Sequence, residues 1–229
     1  MIPRTPGPVE REERRVAQRA EEHPSPPGLL PAAALDGKAQ RGARTPTGQV
    51  FLVGAIDHAS GAVLGQTQVP DKRGEGTAAR TLVSQLAIPG LVFTMDALHT
   101  TKKTAHLIAK THGAHYVLVL KGNQPLARTA AQALLNGTDT EWAQTTDVED
   151  DRGHGRTERR TLRSAPADDT LFPGARQVFR LRRDSGELDG AWTAKEIVFG
   201  VTSLTPDLAG PAQLNHYERA HWGIENKIH

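Results

Sequence analysis

Apolar residues along this chain come in short clusters separated by turn residues, and cluster length decides the element. Leu29 to Asp36, Val50 to Asp57, Val63 to Val69, Leu91 to Asp96 and His115 to Leu120 are runs of strand length. Ala59-Ser60-Gly61 separates the second and third runs and predicts an antiparallel hairpin. The period then changes. Ala78, Leu82, Val83 and Leu86 recur at helical spacing, and Ile88-Pro89-Gly90 closes that helix. Thr101 to His112 carries Ala105, Ile108 and Ala109 on one side and stops at Gly113, and Gln124-Pro125 opens a third helix with Leu126, Ala130, Ala133 and Leu134. Three strands followed by alternating helices and strands predict an α/β fold whose mixed sheet starts antiparallel and continues in parallel βαβ units.

After Asn136-Gly137 the helical signal fades. Arg156 to Arg163, Arg176 to Arg183 and Ala191 to Val201 read as extended amphipathic strands, with turns at Asp184-Ser185-Gly186 and Asp189-Gly190, so a β-rich insertion is predicted over about 138–205. Past Pro206 and Pro211 the helical period returns in Leu214, Tyr217, His221, Ile224 and Ile228. Residues 1–28 hold a mixed Glu/Arg run and a proline-rich hinge, read as a disordered tail ahead of one domain over 29–229.

Composition narrows the chemistry. A chain of 229 residues supports one principal domain. No stretch approaches the roughly 18 apolar residues of a membrane helix, and no signal core opens the chain, so the expected location is the cytoplasm, at the nucleoid. With no cysteine, disulfides, thiolate zinc sites and cysteine nucleophiles are out, which leaves oxygen and nitrogen ligands. The formal charge of +2 is too mild to announce nucleic-acid binding. Its distribution says more, because Asp150 to Arg183 holds nine arginines against Asp150, Asp151, Glu158, Asp168 and Asp169.

Asp36 and Asp96 each end an apolar run, and a carboxylate at such a strand end projects from the edge where α/β folds bind ligands. The competing reading of either is a turn residue or helix cap. Asp57 also ends a run but is followed at once by the hairpin, so it reads as a turn residue. Glu225 stands beside Trp222 and His221 on the terminal helix, at the edge of its apolar flank. Three converging carboxylates suit Mg²⁺ or Mn²⁺. Two such ions about 4 Å apart support attack at phosphorus.

Five ordered blocks carry a resemblance: Ala34-Leu35-Asp36-Gly37-Lys38, Thr94-Met95-Asp96-Ala97, Tyr116 to Gln124, Gly153-His154-Gly155-Arg156-Thr157-Glu158-Arg159-Arg160, and His221-Trp222-Gly223-Ile224-Glu225-Asn226-Lys227. Together they resemble the DDE transposases of bacterial insertion sequences, in the H-repeat-associated branch. The resemblance implies an RNase H-like core and a triad of Asp36, Asp96 and Glu225 holding two Mg²⁺ or Mn²⁺ ions. It also implies cleavage and strand transfer at double-stranded DNA, namely terminal inverted repeats and a target, with a homo-oligomer in synapsis. DNA contacts are implied for Lys38, Lys121, Asn123, His154, Arg156, Arg159, Arg160, Arg219, His221 and Lys227. For Lys121 and Asn123 a turn role competes; for the arginines, a solvated β surface.

The broader group surrounds its glutamate with a pattern of Tyr, two residues, Arg, three residues, Glu, six residues, Lys. Counted from Glu225, the arginine slot holds His221, the tyrosine slot holds Glu218, and the lysine slot falls beyond His229. The chain reads as shortened at both ends relative to that family. Two alternatives therefore stand beside transposition: an inactive remnant that binds DNA or a full-length transposase, and a stand-alone nuclease using the same triad.

Overall fold

The computed structural model of the protein describes residues 25–45, 48–69, 74–138, 141–142, 146–153, 156–188 and 191–225, with the side chains of 38–45, 48–50, 152–153 and 223–225 left aside. The predicted tail over 1–28 lies almost wholly outside these residues.

Nine strands form one sheet. They are β1 (Ala32–Thr45), β2 (Gly48–Asp57), β3 (Val63–Val69), β4 (Val92–Met95), β5 (His115–Leu120), β6 (Thr146–Gly153), β7 (Arg156–Pro166), β8 (Gln177–Glu187) and β9 (Trp192–Thr202). In space their order is β3, β2, β1, β4, β5, β9, β8, β7, β6. The first three pair antiparallel, β1 runs parallel to β4 and β4 to β5, and β9 returns antiparallel against β5. The helices are α1 (Glu75–Leu86), α2 (Lys102–His106), continued by a π-helical turn over Leu107–Thr111, α3 (Pro125–Leu134) and α4 (Pro211–Glu225).

Side chains alternate across a strand, so each strand feeds two cores. On one face Leu35, Phe93, Met95, Tyr116 and Leu118 pack with Ala78, Leu82 and Val83 of α1, Ile108 and Ala131. On the other, Ala32, Val92, Val117, Phe179 and Leu181 meet Leu214 and Tyr217 of α4. The result is three layers: α1 to α3, the sheet, and α4.

Local chemistry explains the boundaries. Thr101 caps α2 by accepting from the Thr104 amide at 3.1 Å. Pro125 opens α3 where no amide is needed. Gly90 and Gly113 take positive φ (85° and 63°) where the chain turns from each helix into the next strand.

Three segments differ from what their sequence suggests. Asp36 ends the apolar run, yet the chain does not turn there: β1 runs on to Thr45, because after β4 ends it still has β2 to pair with, from Gly37 opposite Val53 to Thr45 opposite Gly48. Asp184-Ser185-Gly186 is likewise not a turn but part of β8, with an irregularity between Ser185 and Gly186 that absorbs the change of register. The acidic segment Thr146–Gly153 gave no apolar signal, yet it forms β6, an edge strand whose partner β7 is basic: Asp150 faces Arg159 and Glu149 faces Arg160.

Candidate active site

Parallel pairing of β1 with β4 sets Ala34 opposite Thr94 and Leu35 opposite Met95, so Asp36 and Asp96 follow side by side at the next step. Alternation puts them on the face of Ala32, Ala34, Val92 and Thr94, the face that α4 covers. Asp96 is held in place by its own loop. Its Oδ1 accepts from the amides of Leu98 and His99 at 3.0 and 3.2 Å, and its carbonyl accepts from Thr100 Oγ1 at 3.0 Å. The turn role considered for this residue is thus real, and no described donor meets Oδ2. The loop is braced from β5: Asn123 Nδ2 donates to the carbonyls of Ala97 at 2.6 Å and Thr100 at 3.0 Å, and Gln124 Nε2 to Thr100 at 3.2 Å. Asn123, expected at DNA, spends its amide on the loop that carries Asp96. Lys121 beside it is exposed.

α4 enters this face through His221. The ring is buried, and Nδ1 lies 2.9 Å from Thr94 Oγ1, which is also 2.9 Å from His58 Nε2. Burial lowers the pKa of His221, although Asp36 and Asp96 nearby pull it the other way. The imidazole is therefore neutral at pH 7. One turn earlier, Tyr217 accepts from the Leu30 amide at 2.9 Å, donates to its carbonyl at 3.2 Å, and meets the His58 ring edge-on. The sequence reading missed His58 and Thr94. The signal for Thr94 was its position two residues before Asp96, hence on the same face.

The arginines expected along DNA are largely committed inside the protein. Arg160 is 3% exposed and donates to Asn215 Oδ1 at 3.0 Å and Glu158 at 3.4 Å, which corrects its assignment to a phosphate-facing surface. Cross-strand pairing sets Arg160 opposite Arg183, and the buried Glu218 of α4 faces both. Burial pushes the Glu218 carboxyl up to about 7 while the two guanidinium groups pull it down. Arg219 donates to Glu149 and, at 2.6 Å, to Asp151. Arg159 forms a bidentate pair with Asp150 at 2.7 Å and lies over Trp192. Of the expected contacts, Arg156 is exposed and free of a described partner. The side chains of Lys38 and Glu225, and all of His154 and Lys227, lie outside the described residues.

Carboxylate oxygens such as those of Asp36 and Asp96 are the donors that Mg²⁺ and Mn²⁺ take. Among the described residues no three His, Asp or Glu side chains form a group that could hold a metal. Among them, too, no helix is long and apolar enough to cross a membrane.

Residues 27–229 match the family described as the transposase DDE domain. YncI of Escherichia coli O157:H7, a transposase by name, is 26% identical over 215 residues, covering 86% of this chain and 52% of its own. YhhI of E. coli K12, by name an H-repeat-associated transposase, is 32% identical over 94 residues, covering 40% of this chain and 25% of its own. The chain spans about half the length of the longer-matching relatives. Among solved structures, human ENDOV overlaps 96% of this chain and 98% of its own at 13% identity with a TM-score of 0.29, too loose a likeness to build on. With a family match over nearly its whole length and a relative, similar over 86% of this chain, that bears the same name, the chain belongs to the DDE transposases.

Proposed function

We propose that the chain carries the catalytic core of an insertion-sequence transposase that cleaves and transfers DNA strands with Asp36, Asp96 and Glu225 as its metal ligands. The observation that carries this reading is the climb of α4 along the face of the two aspartates. Tyr217 meets Leu30, just before β1 begins, and His221 meets Thr94, which pairs with Ala34. A helical turn rises about 5.4 Å and two strand residues about 6.6 Å. α4 thus advances in the same direction as β1 and β4, and position 225 is one turn further on, on the helix face of His221 and toward the ends of the apolar runs that carry Asp36 and Asp96. The strand order β3, β2, β1, β4, β5, with antiparallel start and parallel continuation, supports the RNase H-like assignment.

Asp36, Asp96 and Glu225 would hold Mg²⁺ or Mn²⁺, which when bound activates the attacking oxygen and stabilises the leaving one. The chain's own part is positional. Backbone amides fix one oxygen of Asp96, Asn123 and Gln124 brace its loop, and the neutral His221, tied to Thr94, anchors the last helix without adding positive charge beside the carboxylates. Terminal repeats and target DNA are the proposed substrates and a homo-oligomer the proposed assembly.

The test is nicking of a supercoiled plasmid by the purified chain with Mn²⁺. Asp96→Asn and Glu225→Gln should each abolish nicking, by more than the ~10–100-fold that losing a mere supporting partner costs, with DNA binding kept. Nicking at the wild-type rate in either variant would refute the triad. Binding without metal-dependent nicking by the wild type would favour the non-cutting reading.

A further inference from the structure

On the far side of the sheet from α4, a groove of about 740 Å³ runs between α1 and α2, lined by Thr77, Arg80 and Thr81 of one helix and Lys102, Lys103 and His106 of the other. We propose that this groove is a second DNA surface, binding the phosphate backbone of a duplex without regard to sequence. The proposal rests on the reading that DNA is the partner, and it concerns residues that neither the triad nor the β7 to β9 arginines include.

Charge is the first argument. Three permanent cations and a histidine share the groove with threonine hydroxyls, and no carboxylate lines it. The Arg80 guanidinium donates to Thr77 Oγ1 at 3.1 Å, and among the described residues none of Arg80, Lys102 and Lys103 has an acidic partner. Several basic side chains elsewhere are matched: Lys110 with Asp169, Arg159 with Asp150, Arg182 with Asp184, Arg219 with Glu149 and Asp151. A cluster of like charge open to solvent attracts anions, and a duplex offers about one phosphate charge per 1.7 Å of its axis.

Arrangement is the second. Thr77, Arg80, Thr81 and Ser84 follow one another at helical spacing along α1, on the stripe opposite the buried Ala78, Ala79, Leu82 and Val83. The lysines face that stripe from the start of α2, six and seven residues beyond Asp96. Donors in two facing rows fit an extended polyanion better than one small ion. Their position just around the sheet edge from the two aspartates lets DNA held at the groove reach that edge from behind.

The experiment is the salt dependence of duplex affinity, read by fluorescence anisotropy with a labelled 40-base-pair duplex of arbitrary sequence between 50 and 200 mM KCl. The variant is Arg80→Ala/Lys102→Ala/Lys103→Ala, and Arg80→Lys/Lys102→Arg/Lys103→Arg keeps the charge. Each lost phosphate contact flattens the log–log slope by about 0.9, so three lost contacts shrink the wild-type drop in affinity across this range by about 40-fold. The charge-keeping variant should retain the wild-type slope, and Lys102→Glu alone, an exposed single change, should move it the same way as the triple variant. An unchanged slope in the alanine and Lys102→Glu variants, with wild-type binding intact, would overturn the groove and leave the DNA reading standing. No binding by the wild type at 50 mM salt would overturn both.

Discussion

Thr94 and His221 are 127 positions apart in the chain and 2.9 Å apart in the fold. Because Thr94 sits on β4 two residues before Asp96, this bond ties the last helix to the strand that leads into the proposed metal ligand. The same hydroxyl also meets His58 beyond β2, so one small side chain joins three elements.

Thr94→Val keeps the shape and removes the hydroxyl, leaving two imidazole nitrogens without their partner. Loss of a buried hydrogen-bond partner costs about 1–3 kcal/mol. We expect a lower melting temperature and slower Mn²⁺-dependent nicking, with DNA affinity unchanged. Calorimetry and a plasmid assay on the same preparation check both.

Glu218 should make stability fall as pH rises. Its carboxyl is pushed from an ordinary 4.5 up to about 7 in the folded state, so between those values the folded chain holds a proton that the unfolded chain releases. More protons bound in the folded state means stability declining with pH through that window. Urea unfolding at pH 5 and pH 8 should show wild type losing stability relative to Glu218→Gln at the higher pH. A difference independent of pH would refute the shifted carboxyl.

Gly200 of β9 stands opposite Phe179 of β8, and a Cβ added there would meet the ring at 2.0 Å. Gly200→Ala must displace a fully buried phenylalanine, an overpacking cost of about 1–3 kcal/mol. Thermal unfolding of the variant measures it directly.

Arg219 bridges Glu149 and Asp151 of β6 and would meet phosphate only by leaving them. Glu149→Gln/Asp151→Asn should release it and steepen the salt dependence of DNA binding by about 0.9, the share of one phosphate contact. Arg219→Ala in that background should cancel the gain.

The apolar strands and the helix limits were legible in a few residues: Val63–Val69 and His115–Leu120 read as strands, and Pro125 and Gly113 mark helix limits where the structure has them, whereas the stripe read for α3 was the wrong one, since Leu126 and Leu134 are exposed and Ala127 and Ala131 are buried. The two aspartates stood out as charges ending apolar runs, although β1 does not end at Asp36. β6 was hidden because an edge strand paired to a basic neighbour needs carboxylates rather than valines. Arg160 and Arg183 looked like solvent-facing charges because nothing local announces Glu218, which reaches them from a helix some 35 to 58 residues later. Local pattern records what a segment buries against its own neighbours, not which distant element will neutralise it.

The strand β9 joins β5 over only four residue pairs, Val117 to Leu120 against Phe199 to Thr202, yet that junction unites the mixed half of the sheet, β1 to β5, with the antiparallel half, β6 to β9. α4 lies across both, bonded to Leu30 and Thr94 on one side and to Arg160 and the carboxylates of β6 on the other. It is a buckle. Parting the two halves by a few ångströms would pull His221 away from Thr94 while each half kept its own pairing. On the proposed function, DNA cleavage would then be lost on heating well before the secondary structure melts, while circular dichroism still looked native.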